Sequence, residues 1–164
     1  MTTLRSIEPS HYSTLAAHIR ANTDPEVVAA LAIRDDDTIR DWYNTATVTD
    51  AWRNDVDRLA LLEMTPITNF DWLSAGKRDA WRLMLEQAAV TPIDFGRSKP
   101  RAVVRDIWSV AQADTLLIAC TRKATRCEMV FGGTVGASGS VSATHLVVSE
   151  WLASYTISTI LNQY

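Results

Sequence analysis

The chain has 164 residues, 47% of them hydrophobic and 21% charged, with a formal net charge of −3. That size fits one domain able to bury roughly two thirds of its unfolded surface, so neither disulfides nor a metal are needed to hold it together. No window stays apolar and uncharged for the ~18 residues of a membrane span, and the acidic balance argues against general polyanion binding.

In chain order, Glu8-Pro9 followed by Tyr12, Leu15, Ala16 and Ile19 at helical spacing predicts a first helix ending near Ala21-Asn22. Asp24-Pro25 is a start signal, a capping side chain followed by Pro at the first helical position. Val27, Val28 and Leu31 form the stripe of a second helix. Asp35, Asp36 and Asp37 break it and cap a short third helix over Thr38 to Asn44, whose apolar face is Ile39, Trp42 and Tyr43. Thr49 or Asp50 is expected to cap another helix, in which Trp52, Val56 and Leu59 share a face. The run LALLEM has no decisive period and is read as helix.

After the break at Thr65-Pro66, Trp81, Met84, Leu85 and Ala88 repeat at i, i+3, i+4, i+7, which predicts a long helix behind Ser74 and Gly76. The loop VTPIDFGRSKP leads to Pro100 and a helix carried by Val104, Ile107, Trp108 and Ala111. Asp114 is expected to cap the longest helix, with Leu117, Cys120, Ala124, Cys127 and Phe131 on one stripe and a stop at Gly132-Gly133. On that helix the two cysteines stand roughly 10.5 Å apart, too far for a disulfide, and read as buried thiols. Beyond it TVGASGSVSAT is small and flexible, THLVVSEWL has strand composition, and Thr156 to Asn162 is open to helix or strand. The fold class is therefore mainly α (α+β). Residues 1–133 form a helical bundle body, and 134–164 a short β-type C-terminal hairpin or arm of the same single domain.

The chemistry-bearing residues form no catalytic constellation. His11 and His18 are seven apart and His145 is distant, so zinc-ligand spacing is absent, and no nucleophile elbow occurs. GGTVGASGS follows a predicted helix and lacks the Lys of a phosphate loop. Asp35, Asp36, Asp37 and Asp41 lack the alternation and glycine of a calcium loop and read as a solvated helix start. No enzyme activity, cofactor or metal is expected. Two basic groups, Arg97, Lys99, Arg101 and Arg105, then Arg122, Lys123 and Arg126, are candidate contacts for nucleic acid or a subunit. Charge is uneven: residues 1–58 hold ten acids and six bases, 59–114 seven of each, and 115–164 two acids and three bases. Six tryptophans read mostly as core, with one or two left for an interface.

The order of RDWYN, AWRNDV, SAGKRDAWRLML and RKATRCEMVFGG, followed by a Gly/Ser turn and a strand-like end, resembles a family of small tailed-bacteriophage virion proteins. The resemblance covers residues 38–162 and identifies no active site. It implies a particle component acting by assembly, as a head-to-tail connector (adaptor or neck) or tail protein in a homo-oligomeric ring. Its partners would be portal, connector or tail subunits, with transient DNA contact and no membrane. Such a protein is made in the host cytoplasm, without an export signal, and resides in the virion. The alternatives are a DNA-contacting or packaging-related module and a capsid decoration protein. The expected subunit interface is Leu146, Val147, Val148, Trp151, Tyr155 and Ile157, on an arm whose deletion is expected to abolish oligomerisation and spare helical structure.

Overall fold

A computed structural model describes residues 7–148 and 152–164. Among these, ten helices and a four-stranded sheet give a mixed α/β fold. The helices are α1 (Pro9–Arg20), α2 (Pro25–Ile33), α3 (Asp36–Asn44), α4 (Arg58–Met64), α5 (Ile67–Phe70), α6 (Ala75–Val90), α7 (Ser98–Ile107), α8 (Val110–Ala119), α9 (Arg126–Val130) and α10 (Ser154–Gln163). The strands are β1 (Ala46–Trp52), β2 (Thr121–Thr125), β3 (Gly133–Ser138) and β4 (Val141–Leu146).

The sheet order is β2-β1-β4-β3, with β1 and β4 parallel and Ala51 opposite Thr144. Arg53 N–H donates to the Cys120 carbonyl at one end of β1, and Arg126 N–H donates to the Thr45 carbonyl at the other, so β2 runs antiparallel to β1. A two-residue turn with Gly139 at φ 62° joins β3 to β4, a conformation that glycine adopts without strain.

The chain forms two units, each gathered from separate stretches. The first holds Thr49–Arg122 and Thr134–His145, the second Leu4–Val48, Lys123–Gly133 and Leu146–Tyr164, counting described residues only; the division cuts through β1, β2 and β4. The first has a core of Trp52, Val56, Leu61, Trp81, Phe95, Ile107, Trp108, Leu117 and neighbours. Trp81 meets Trp108 edge to face at 5.4 Å, and its indole N–H donates to the Thr65 hydroxyl at 3.1 Å. In the second, Leu15, Ile19, Ile39 and Tyr43 pack with Ile157, Ile160 and Leu161 of α10. Asn44 fixes the lead-in to α10 by bonding both the N–H and the carbonyl of Leu152, each at 2.8 Å. Burial pushes the Tyr43 phenol up to about 12, while its hydroxyl pairs with His18 Nδ1 at 2.7 Å and accepts from Asn22 at 3.1 Å.

Local signals explain most boundaries. Asp24 caps α2 through the Glu26 N–H, and Asp35 caps α3 through the Thr38 N–H. The Thr38 hydroxyl also donates to Asp35, and this bond leads in holding its carboxyl below the usual range.

Several expectations are corrected. Thr49 and Asp50 lie inside β1, because the β-branched run Thr47, Val48, Thr49 suits an extended backbone, and the next helix begins only after Asp57, which caps α4 through the Ala60 N–H. The long helix from Asp114 does not exist. α8 ends at Ala119, β2 follows, and Thr125 starts α9 with a reciprocal capping box to Glu128. Leu117, Cys120, Ala124 and Cys127 are all buried, so their spacing records burial in three different elements rather than one helical stripe. The helix behind Pro100 stops at Ile107, since Ser109 and Gln112 form a capping box that opens α8. The Gly/Ser stretch is β3, a tight turn and the start of β4, and the β structure is not confined to the C-terminal end.

Candidate functional site

Asp94 gathers a group of charged and polar contacts in the first unit. It sits in the loop between α6 and α7, which is held to the chain before α4 by the antiparallel bridge of Val56 with Ile93. Its carboxylate accepts from the Gly96 N–H at 2.9 Å and from Arg97 Nε at 3.4 Å, and lies 3.5 Å from His145 Nε2. That last distance is a charge contact at the outer limit of hydrogen bonding. The His145 ring covers Gly96 so closely that a Cβ there would fall 2.1 Å from its Cδ2. Gly96→Ala is therefore expected to displace the ring and destabilise the protein by about 1–3 kcal/mol, measurable by urea unfolding.

Arg101 is only 5% exposed. Its Nη1 donates to the carbonyls of Phe95 and Gly96 at 2.8 and 2.9 Å, its guanidinium lies 4.7 Å from the Trp52 ring, and Nε has no partner. Burial depresses its pKa, partly offset by Asp94. Arg105 donates to Asp114 and to Ser138, and Ser140 also donates to Asp114, which together tie the β3–β4 turn to α7 and α8. The Ser140 bond leads in lowering the Asp114 pKa, with Arg105 adding to it.

The first basic group is thus no open patch. Arg101 and Arg105 serve internal bonds, and only Arg97 and Lys99 reach a groove of about 440 Å³ between α6 and α7, over Met84, Ile93 and Val103. The second group is not carried by one helix as expected. Arg122 and Lys123 belong to β2, where Lys123 donates to the Val48 carbonyl at 3.0 Å. Arg126 opens α9, stacked 4.2 Å from the Trp42 ring. Of the expected interface residues, Leu146, Val148 and Ile157 are buried within the chain's own fold and are unavailable to a neighbour. Val147 is 48% and Tyr155 77% exposed, and Trp151 lies outside the described residues.

No family model, curated protein or solved structure matches this chain. The functional reading therefore rests on its own surfaces. Sequence reasoning missed one of them. Leu59 and Leu62 of α4, with Ala88 and Ala89 of α6, line an open depression of about 400 Å³, and exposed Val90 follows at the end of α6. The signal was the run LALLEM, which is apolar on both faces of its helix although only Leu61 is fully buried. Among the described residues, no group of three or more His, Cys, Asp or Glu is placed to hold a metal, and no helix is long and apolar enough to cross a membrane.

Proposed function

We propose that this protein is a structural component of a tailed-bacteriophage particle, a head-to-tail connector or tail protein that acts by assembling into a ring. The observation that carries the reading is the exposed apolar surface of α4 and α6, where Leu59, Leu62 and Val90 are left in water by the fold of one chain. Large apolar side chains left exposed side by side mark sites of association. The resemblance of its segment order to small virion proteins supports the same reading, with the helices as its body and the β3–β4 hairpin as a fixed part of it.

Light scattering and negative-stain imaging of the purified chain test it, with rings expected. Leu62→Glu combined with Val90→Glu should return the protein to monomers with unchanged circular dichroism, since both side chains are already solvent-facing. A monomeric wild type, or absence of the chain from purified particles by mass spectrometry, overturns the reading.

A further inference from the structure

Helix α2 is apolar on every side: of its nine residues only Glu26 is polar. A helix of that kind is ordinarily covered all round. Its inner side meets this expectation, with Val27 and Ala30 buried and Leu31 packed against the core of the second unit. The outer side does not. Val28 is 50% and Ile33 76% exposed, and Ala29 and Ala32 between them are exposed as well. At about 3.6 residues per turn these four share one face of the helix, with Glu26 at its edge. The Glu26 carboxylate has no bonding partner among the described residues.

The groove between α6 and α7 has the complementary character. Met84, Ile93 and Val103 make its apolar floor, and Leu83, 64% exposed, stands on its α6 wall. Arg97 and Lys99 also line it, and no acid does. The Arg97 side chain, 71% exposed, reaches Asp94 through Nε at 3.4 Å, and Lys99 has no bonding partner among the described residues. Val90 lies two helical turns beyond Leu83 on the same side of α6. The groove therefore continues the exposed apolar surface of α4 and α6.

We propose that the occupant of this groove is α2 of a second copy of the chain, with Val28, Ala29, Ala32 and Ile33 on the apolar floor and Glu26 at Arg97 and Lys99. The two surfaces match in charge as well as in polarity. Residues 24–33 hold two acids and no base, whereas the groove is lined by two bases and no acid. A helix laid in an apolar groove is a recurrent docking mode, and opposite charges at its rim set the orientation. The contact is heterologous, because helix and groove are different patches of one chain, and copies joined in this way form a ring where the rotation closes. Ring assembly as proposed above is presupposed, and α2 supplies the second, complementary surface that it requires.

Light scattering of the full chain over a range of concentrations tests this contact. Leu83→Lys blocks the groove and Ile33→Lys blocks the helix, both at solvent-facing positions. Each should raise the concentration for half-assembly about tenfold or more, with circular dichroism unchanged. Mixed where each alone is monomeric, the two variants should form one-to-one dimers, because the intact α2 of one fits the intact groove of the other. Lys99→Glu should weaken assembly about tenfold, and Glu26→Lys in the same chain should restore it. A mixture that stays monomeric, or a charge reversal that Glu26→Lys does not rescue, overturns the α2 contact. So does undiminished assembly of Leu83→Lys and Ile33→Lys while Leu62→Glu with Val90→Glu is monomeric, a result that leaves the ring itself standing. A monomeric wild type overturns both.

Discussion

Trp81→Ala is expected to lower the unfolding free energy by about 3–5 kcal/mol, read from urea denaturation followed by circular dichroism. Trp81 is fully buried in α6, edge-on to Trp108, and donates its indole N–H to Thr65. Truncation opens a cavity at the centre of the first unit's core and removes that hydrogen bond. The Thr65 hydroxyl keeps its bond to the Leu61 carbonyl at 2.6 Å, so no second donor is stranded. Trp108→Ala should cost less than Trp81→Ala, although both are core residues, because the Trp108 indole N–H has no partner to lose. A loss below about 1 kcal/mol for Trp81→Ala would place that side chain outside the core.

Removing residues 134–164 is expected to unfold the protein rather than yield a folded, assembly-deficient body. The cut takes away β3, β4 and α10. β1 loses its parallel neighbour at Ala51, Trp52 loses the Gly136 carbonyl that accepts its indole N–H at 3.2 Å, and Arg105 loses Ser138. In the second unit, Ile157, Ile160 and Leu161 leave the core shared with Leu15, Ile19, Ile39 and Tyr43. Each of these apolar side chains contributes about 1.5–3 kcal/mol by burial, so their joint loss is comparable to the stability of an ordinary domain, and the lost sheet contacts add to it. Helical circular dichroism should collapse with the truncation. A truncated chain that keeps its helical signal and a cooperative melt would show that these residues are dispensable to the fold.

The helices that carry their own punctuation were legible in the sequence. Asp24-Pro25 and Asp35 cap what they were expected to cap, and the stripe of Trp81, Met84 and Ala88 is buried along α6. The failures share one cause. Around Thr49 and again around Ala124, buried residues fall at intervals that a helix would also produce, and only the partner strand decides between the two. The capping boxes at Ser109 and Thr125 were available as local signals that break the apparent long helices. The parallel pairing of β1 with β4 was not readable, because nothing local to Ala51 names Thr144 as its neighbour. The same reasoning covers the basic residues. Arg97 and Arg101 are alike as letters, but Arg101 is drawn inward by two carbonyls and the Trp52 ring while Arg97 stays exposed.

The interleaving of the two units sets an order of events on the ribosome. Helices α1 to α3 are made before the first unit, yet their core is completed by α10, which follows it. They must wait through the synthesis of the entire first unit with Leu15, Ile19, Ile39 and Tyr43 uncovered. Contacts between such distant parts of a chain form slowly, because closing the long loop costs entropy before any packing offsets it. The nascent chain thus carries uncovered apolar helices until α10 emerges, and expression at lower temperature or with a holding chaperone should raise its soluble yield.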